Sequence, residues 1–165
     1  MEKYELFLES AKKELQLADH MLNVTYKVVN DPKLLLSIIG RISKALNHNL
    51  AFILHYERMY KRIPPFKEDF ESMFNAFKLR VTKRYNINIE YITLIQEINE
   101  ILKQHEKSSI EFRKDDKFVI CSDKYRLKII SIDHIKRYIN KAKVFLRETE
   151  NMVKMFKHLE FNDRE

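Results

Sequence analysis

The sequence predicts an all-α fold, an antiparallel bundle of about five long helices with a small β-hairpin before the last one. Three observations predict it. The chain has one glycine, Gly40, and three prolines, Pro32, Pro64 and Pro65, so few tight turns are available. Apolar residues recur at steps of three and four over long stretches, the period of a helix face. One segment, about 117–130, switches to period two, the signature of paired strands. A single domain over residues 1–165 is expected, long enough to bury a core.

The elements follow in order. Tyr4, Phe7, Leu8, Ala11, Leu15, Ala18 and Leu22 place a first helix from about Glu2 to Val24 or a little beyond. In "NDPKLLL", Asp31 can accept from an orphan amide and Pro32 suits a first helical position, so a second helix starts there. Its stripe runs from Leu35 through Ile38, Ile42, Leu46 and Ile53 to Tyr60, and "IPPF" ends it near Arg62. Phe66, Phe70, Met73, Phe74, Phe77 and Val81 give a third helix to about Arg84. Asn86 or Asn88 caps a fourth, which carries Tyr91, Leu94, Ile95, Ile98 and Ile101 and ends near Gln104.

"HEKSSIEFRKDDK" is polar and predicts a connection. "KFVICSDKYRLKIIS" then holds two short runs rich in Val, Ile and Tyr, separated by "SDK", and Tyr125, Leu127 and Ile129 alternate with charged neighbours. Ser131 caps a last helix to about Glu160, with Asp133 in its first turn.

Composition narrows the class. The chain is 45% hydrophobic and 33% charged, which fits a folded globular protein. Its net charge of +7 favours an anionic partner. The single cysteine, Cys121, excludes an internal disulfide and points to a reducing, cytoplasmic setting with no disulfide-linked partner. No apolar run approaches the ~18 residues of a membrane span, and glutamates flank the short apolar run of the opening "MEKYELFLES", unlike a secretory leader.

Candidate chemistry begins on the second helix. Arg41, His48 and His55 recur at steps of seven, so they share one stripe, at roughly 240°, 220° and 200° from Leu35. This places them away from the apolar face, with Phe52 and Met59 beside them. Phe52, His55 and Met59 are therefore candidates for an interface, such as that of a homodimer. Arg41 and His48 are candidates for RNA cleavage: an imidazole moves a proton near neutral pH, and a guanidinium stabilises charge developing on phosphorus. The same stripe also reads as a solvated helix side. Asn49 and Glu57 fall inside the apolar arc and predict a buried polar network.

No cofactor or metal is expected. Glu-x-x-His pairs, His-Glu-x-x-His, Cys-x-x-Cys and glycine-rich phosphate loops are all missing from the sequence. Basic clusters interleave with tyrosines 60, 85, 125 and 138. They make Arg58, Lys61, Arg62, Lys83, Arg84, Arg126, Lys136 and Arg137 candidates for nucleic-acid contact, with Lys124 and Lys128 beside them. Cations at helix C-termini also stabilise the helix dipole, which accounts for some of them without a ligand.

"FLESAKKELQLADHML" (7–22) resembles the opening helix of HEPN-domain proteins, and "IKRYINKAKVFLRETENMV" (135–153) is similar to their closing helix. The resemblance implies a small helical bundle. Many members are ribonucleases or toxin–antitoxin components, with an arginine four to six residues before a histidine and a site assembled by a dimer. Arg41 and His48 have the six-residue gap. They lie on the second helix, earlier than the family's motif, and Ile42 stands where a polar residue often follows the arginine. Together these readings give a non-enzymatic binding module whose partner is itself, another protein or RNA. The alternative is a metal-independent ribonuclease using Arg41 and His48.

Overall fold

The computed structural model describes residues 1–108, 110–121 and 126–164. Helix α1 begins at Lys3–His20, widens through a π turn over Met21–Thr25 and finishes in a last turn, Tyr26–Val29. Asn30 closes it in the left-handed conformation (φ 52°), with its N–H on the Tyr26 carbonyl at 2.7 Å. Helix α2 spans Lys33–Met59. Helix α3 runs Phe70–Ala76, a π turn Phe77–Val81 and Thr82–Tyr85; α4 is Ile89–Lys107 and α5 is Ile132–Asn162. Asn88 and Ser131 cap α4 and α5 as expected, accepting from the N–H groups of Glu90 and His134 at 2.9 and 3.2 Å.

Three boundaries differ from expectation. Helix α2 ends at Met59 rather than near Arg62, because Lys61 turns left-handed (φ 55°) and the Arg62 N–H returns to the Glu57 carbonyl at 3.0 Å. Helix α3 starts at Phe70 rather than Phe66. Asp69 is its cap, accepting from the Ser72 N–H at 2.9 Å, and Pro64 and Pro65 keep the preceding segment out of helix. The predicted hairpin is one part of a three-stranded antiparallel sheet in the order β1 (Ile110–Lys114), β2 (Lys117–Cys121), β3 (Leu127–Ile130). Strand β1 lies in the stretch expected to be a connection. Its apolar Ile110 and Phe112 alternate with Glu111 and Arg113, and the Asp115–Asp116 loop (Asp115 φ 56°) turns it onto β2 with Lys114 opposite Lys117. The "SDK" connection, together with Tyr125, lies outside the described residues.

Helix α2 is the axis of the molecule. It touches every other helix, and from Asn49 to Glu57 only His55 escapes full burial. The buried apolar side chains form one contiguous cluster that takes in all five helices and the inner sheet residues Phe118, Ile120 and Ile130. Among the described residues, no helix is long and apolar enough to cross a membrane.

The polar network expected at Asn49 is present. Thr149 Oγ lies 2.7 Å from Asn49 Oδ1 and 2.9 Å from the Leu146 carbonyl, all buried, while Asn49 Nδ2 meets no partner. A hydroxyl has a single proton. Turning the Asn49 amide over lets its NH2 donate to Thr149 Oγ while that hydroxyl donates to Leu146, so each proton is used once. The contact fixes α2 against α5.

Candidate functional site

The Arg41–His48–His55 stripe is half-buried rather than fully solvated. Helix α1 lies along α2 on that side, and the stripe forms the seam between them. Phe52 is 1% exposed, with its ring 6.1 Å from Tyr4, so it belongs to the core and is removed from the candidate interface. Met59 remains exposed and His55 half-buried. The His55 ring stacks on Phe7 (5.1 Å, 6°) and meets Phe66 at 5.1 Å. Its Nε2 stands 3.0 Å from Glu68 Oε1, off the line of a hydrogen bond, and Lys3 Nζ holds the same carboxylate at 2.6 Å. The His48 ring lies 5.9 Å from that of Phe7, and its Nδ1 is buried without a partner among the described residues.

The two imidazoles line a cleft of about 230 Å³ with Phe7, Asn47, Glu68 and Phe70. Burial pushes both below the usual histidine range. Lys44 adds to the effect at His48 and Lys3 at His55, where Glu68 opposes it. Both are therefore neutral at pH 7. Arg41 is not in this cleft. Its Nη1 reaches buried Glu14 at 3.1 Å, and Lys44 holds the other Glu14 oxygen at 3.2 Å. The helical spacing groups the residues, but Arg41 has a separate partner.

A second cluster accounts for several predicted nucleic-acid ligands. Glu57, fully buried as its place in the apolar arc implied, accepts from Arg84 Nη1 at 2.8 Å and from the Tyr85 hydroxyl, with Arg62 Nη1 at 3.5 Å. Burial and the adjacent carboxylate hold the Tyr85 phenol well above its usual range. The Arg62 guanidinium sits among the rings of Tyr56, Tyr60 and Phe156 at 5.7, 5.0 and 5.4 Å, and donates from Nη2 to Glu160 at 2.5 Å. Arg62 and Arg84 thus hold the end of α2 to α3 and α5. Arg58 donates to the Ile63 carbonyl at 3.4 Å. Lys61 and Lys83 are exposed.

The remaining cations gather elsewhere. Strand β3 and the first turns of α5 meet α4 around a cleft of about 280 Å³, lined by Lys128, His134, Arg137, Tyr138, Lys141 and Glu97, with Thr93 and Leu94 at its wall. Lys128 shares the inner sheet face with Ile120 and Ile130, which sends its side chain to the sheet–helix edge. His134, Arg137, Tyr138 and Lys141 recur at steps of three and four on one face of α5. Lys141 pairs with Glu90 at 3.4 Å, whereas Lys128 and Arg137 have no carboxylate within 4 Å among the described residues. Burial and Glu97 raise the Tyr138 phenol, against Arg137, so it is protonated and can donate.

Of the predicted ligands, only Arg137 lines this cleft. Lys136 lies over a neighbouring groove beside Asp19 and Asn140, and Arg126 is exposed at the start of β3. Lys128 and Lys141 were visible as basic residues, but nothing in the sequence joined them across the sheet. Lys124 lies outside the described residues. No three His, Cys, Asp or Glu side chains among the described residues are placed to hold a metal ion. Compared with known protein families, curated proteins and solved structures, the chain matches none.

Proposed function

We propose that this protein is a binding module for single-stranded RNA and that the cleft between β3, α4 and α5 is where the strand docks. The observation that carries this is the convergence of Lys128, Arg137 and Lys141 around the Tyr138 ring, with two of the three cations lacking an internal carboxylate. Cations that meet phosphates release counterions, and an aromatic ring offers a base a stacking platform. Glu97 in the same cleft can accept from an exocyclic amine of a base. The excess of basic over acidic residues supports the same reading. The test is fluorescence anisotropy with a labelled single-stranded RNA over a salt series. Binding that weakens steeply with salt in the unmodified chain, and is weaker with a shallower salt dependence in the Lys128→Ala/Arg137→Ala variant, supports the proposal. Salt-independent binding, or none, removes it.

The resemblance to HEPN proteins gives a second reading, a ribonuclease using Arg41 and His48. The neutral His48 imidazole beside an open cleft favours it, and the Glu14 contact of Arg41 weighs against it. RNA cleavage by the purified protein that His48→Ala abolishes, at unchanged melting temperature, would establish it. Intact RNA after prolonged incubation with the unmodified protein would discard it.

A further inference from the structure

One residue of the cationic cleft does not fit a simple phosphate clamp. Glu97, on α4, lines it together with Lys128, Arg137 and Lys141, and its side chain is exposed. None of those cations closes on it. Lys141 pairs with Glu90 at 3.4 Å, and among the described residues no lysine, arginine or histidine nitrogen lies within 4 Å of the Glu97 carboxylate. The Tyr138 phenol, which Glu97 raises, is a neutral neighbour and cancels no charge. A free carboxylate repels phosphate, so here it weakens the hold on a strand unless the strand brings hydrogen-bond donors to it.

The bases differ in the donors they can bring. In a single strand their Watson–Crick edges are open to side chains. An ionised carboxylate only accepts, through two oxygens side by side. Guanine offers two adjacent donors, its N1–H and its N2 amine. Cytosine and adenine each offer one amine beside a bare ring nitrogen, whose lone pair would face the second oxygen. Uracil offers one N–H between two carbonyls. Guanine alone satisfies both oxygens without opposing lone pairs. Its neighbouring edge, O6 and N7, accepts from lysine or arginine, and the cleft holds both. At about 280 Å³ the cleft has room for one unpaired base rather than a duplex.

We propose, on the premise that the cleft docks single-stranded RNA, that Glu97 makes it select guanine. The carboxylate accepts from N1–H and the N2 amine, while the cations of the same cleft hold O6, N7 and the adjoining phosphate. Selectivity then comes from the one acidic residue, and most of the affinity from the basic ones.

Fluorescence anisotropy with the full chain tests this. The probes are short labelled single strands of uracil nucleotides that differ only in one central base. The strand with a central guanine should bind about tenfold or more tightly than those with adenine, cytosine or uracil. A central inosine, which lacks the N2 amine, should lose several-fold against guanine. Glu97→Gln sharpens the test. A glutamine amide sets an acceptor beside a donor, which mismatches guanine and matches adenine or cytosine. The preference should therefore move from guanine to those two bases, a change that a merely structural role for Glu97 would not produce. Because Glu97 is exposed, far-ultraviolet circular dichroism should stay unchanged. Salt-dependent binding with equal affinity for all the strands would overturn the guanine assignment and leave the RNA reading standing. A guanine preference that survives Glu97→Gln would also overturn it, by placing the base reading on another residue. Absence of binding to every strand would remove both.

Discussion

Two groups of basic side chains behave in opposite ways. At the end of α2, Arg62 and Arg84 surround a buried carboxylate, Glu57, and aromatic rings enclose Arg62. Along the α1–α2 seam, Arg41 and Lys44 close on Glu14. These cations are matched within the fold. At the other end of the bundle, Lys128 and Arg137 have no carboxylate within 4 Å among the described residues, and they line one cleft with Tyr138 and Glu97. In the sequence Arg62, Arg84, Lys128 and Arg137 are alike, basic residues close to tyrosines. What separates them is a buried glutamate, because desolvating a carboxylate demands cations around it and leaves them little for a ligand.

The largest expected effect comes from breaking a matched group. Glu57→Ala leaves two guanidinium groups and a phenol without their shared acceptor and should destabilise the fold by about 3 kcal/mol, read from the urea midpoint. RNA retention by the folded fraction should be unchanged. A loss below about 0.5 kcal/mol would mean that the buried pairings are incidental.

Next in size is the uncharged counterpart on the same helix. Thr149→Val should cost about 1–2 kcal/mol, because the Asn49 amide is then buried unpaired. Asn49→Leu combined with Thr149→Val should recover most of that loss, since two apolar side chains leave nothing unsatisfied. Chemical denaturation of the two single variants and the double variant measures the coupling directly.

The smallest effect is a dependence on pH. His48 and His55 titrate below 6.5 in the folded protein and at that ordinary value when unfolded. Between the two values the unfolded chain binds more protons, so acid favours unfolding. Their contribution is complete above pH 6.5 and is lost as pH falls through the lower folded values. Glu14, Glu68 and Glu150, held below 4.5 by lysine and arginine partners, lose theirs only below that pH. Thermal unfolding between pH 7 and 5 should therefore show a decline that His48→Gln reduces. An equal decline in that variant would assign the titration elsewhere.

How much of this was legible in the sequence depends on how local the signal was. Ser131, Asn88 and the Asp31–Pro32 pair announced helix starts, because capping depends on residues a turn apart. Asn49 and Glu57 showed as polar side chains inside an apolar arc, and both are buried. Phe52 was misplaced because the wheel allowed for one apolar face, whereas α1 covers a second side of α2. Strand β1 was missed because only two apolar residues, Ile110 and Phe112, carry its alternation through a charged stretch. The late start of α3 follows from Asp69 and Ser72, a cap signal that the phenylalanines on either side overshadowed. The sorting of the cations was illegible for a different reason. Glu57 and Arg84 are 27 positions apart, and Lys128 joins Arg137 only once the sheet folds beside α5.

The most direct test of the central claim is the salt dependence of RNA binding by the Lys128→Ala/Arg137→Ala variant beside that of the unmodified chain. If these are the cations that meet phosphate, the slope of log affinity against log salt falls by about 1.4 and the affinity at low salt drops, with the melting temperature unchanged. The same slope and affinity in both proteins would contradict the claim and place any RNA contact on other residues.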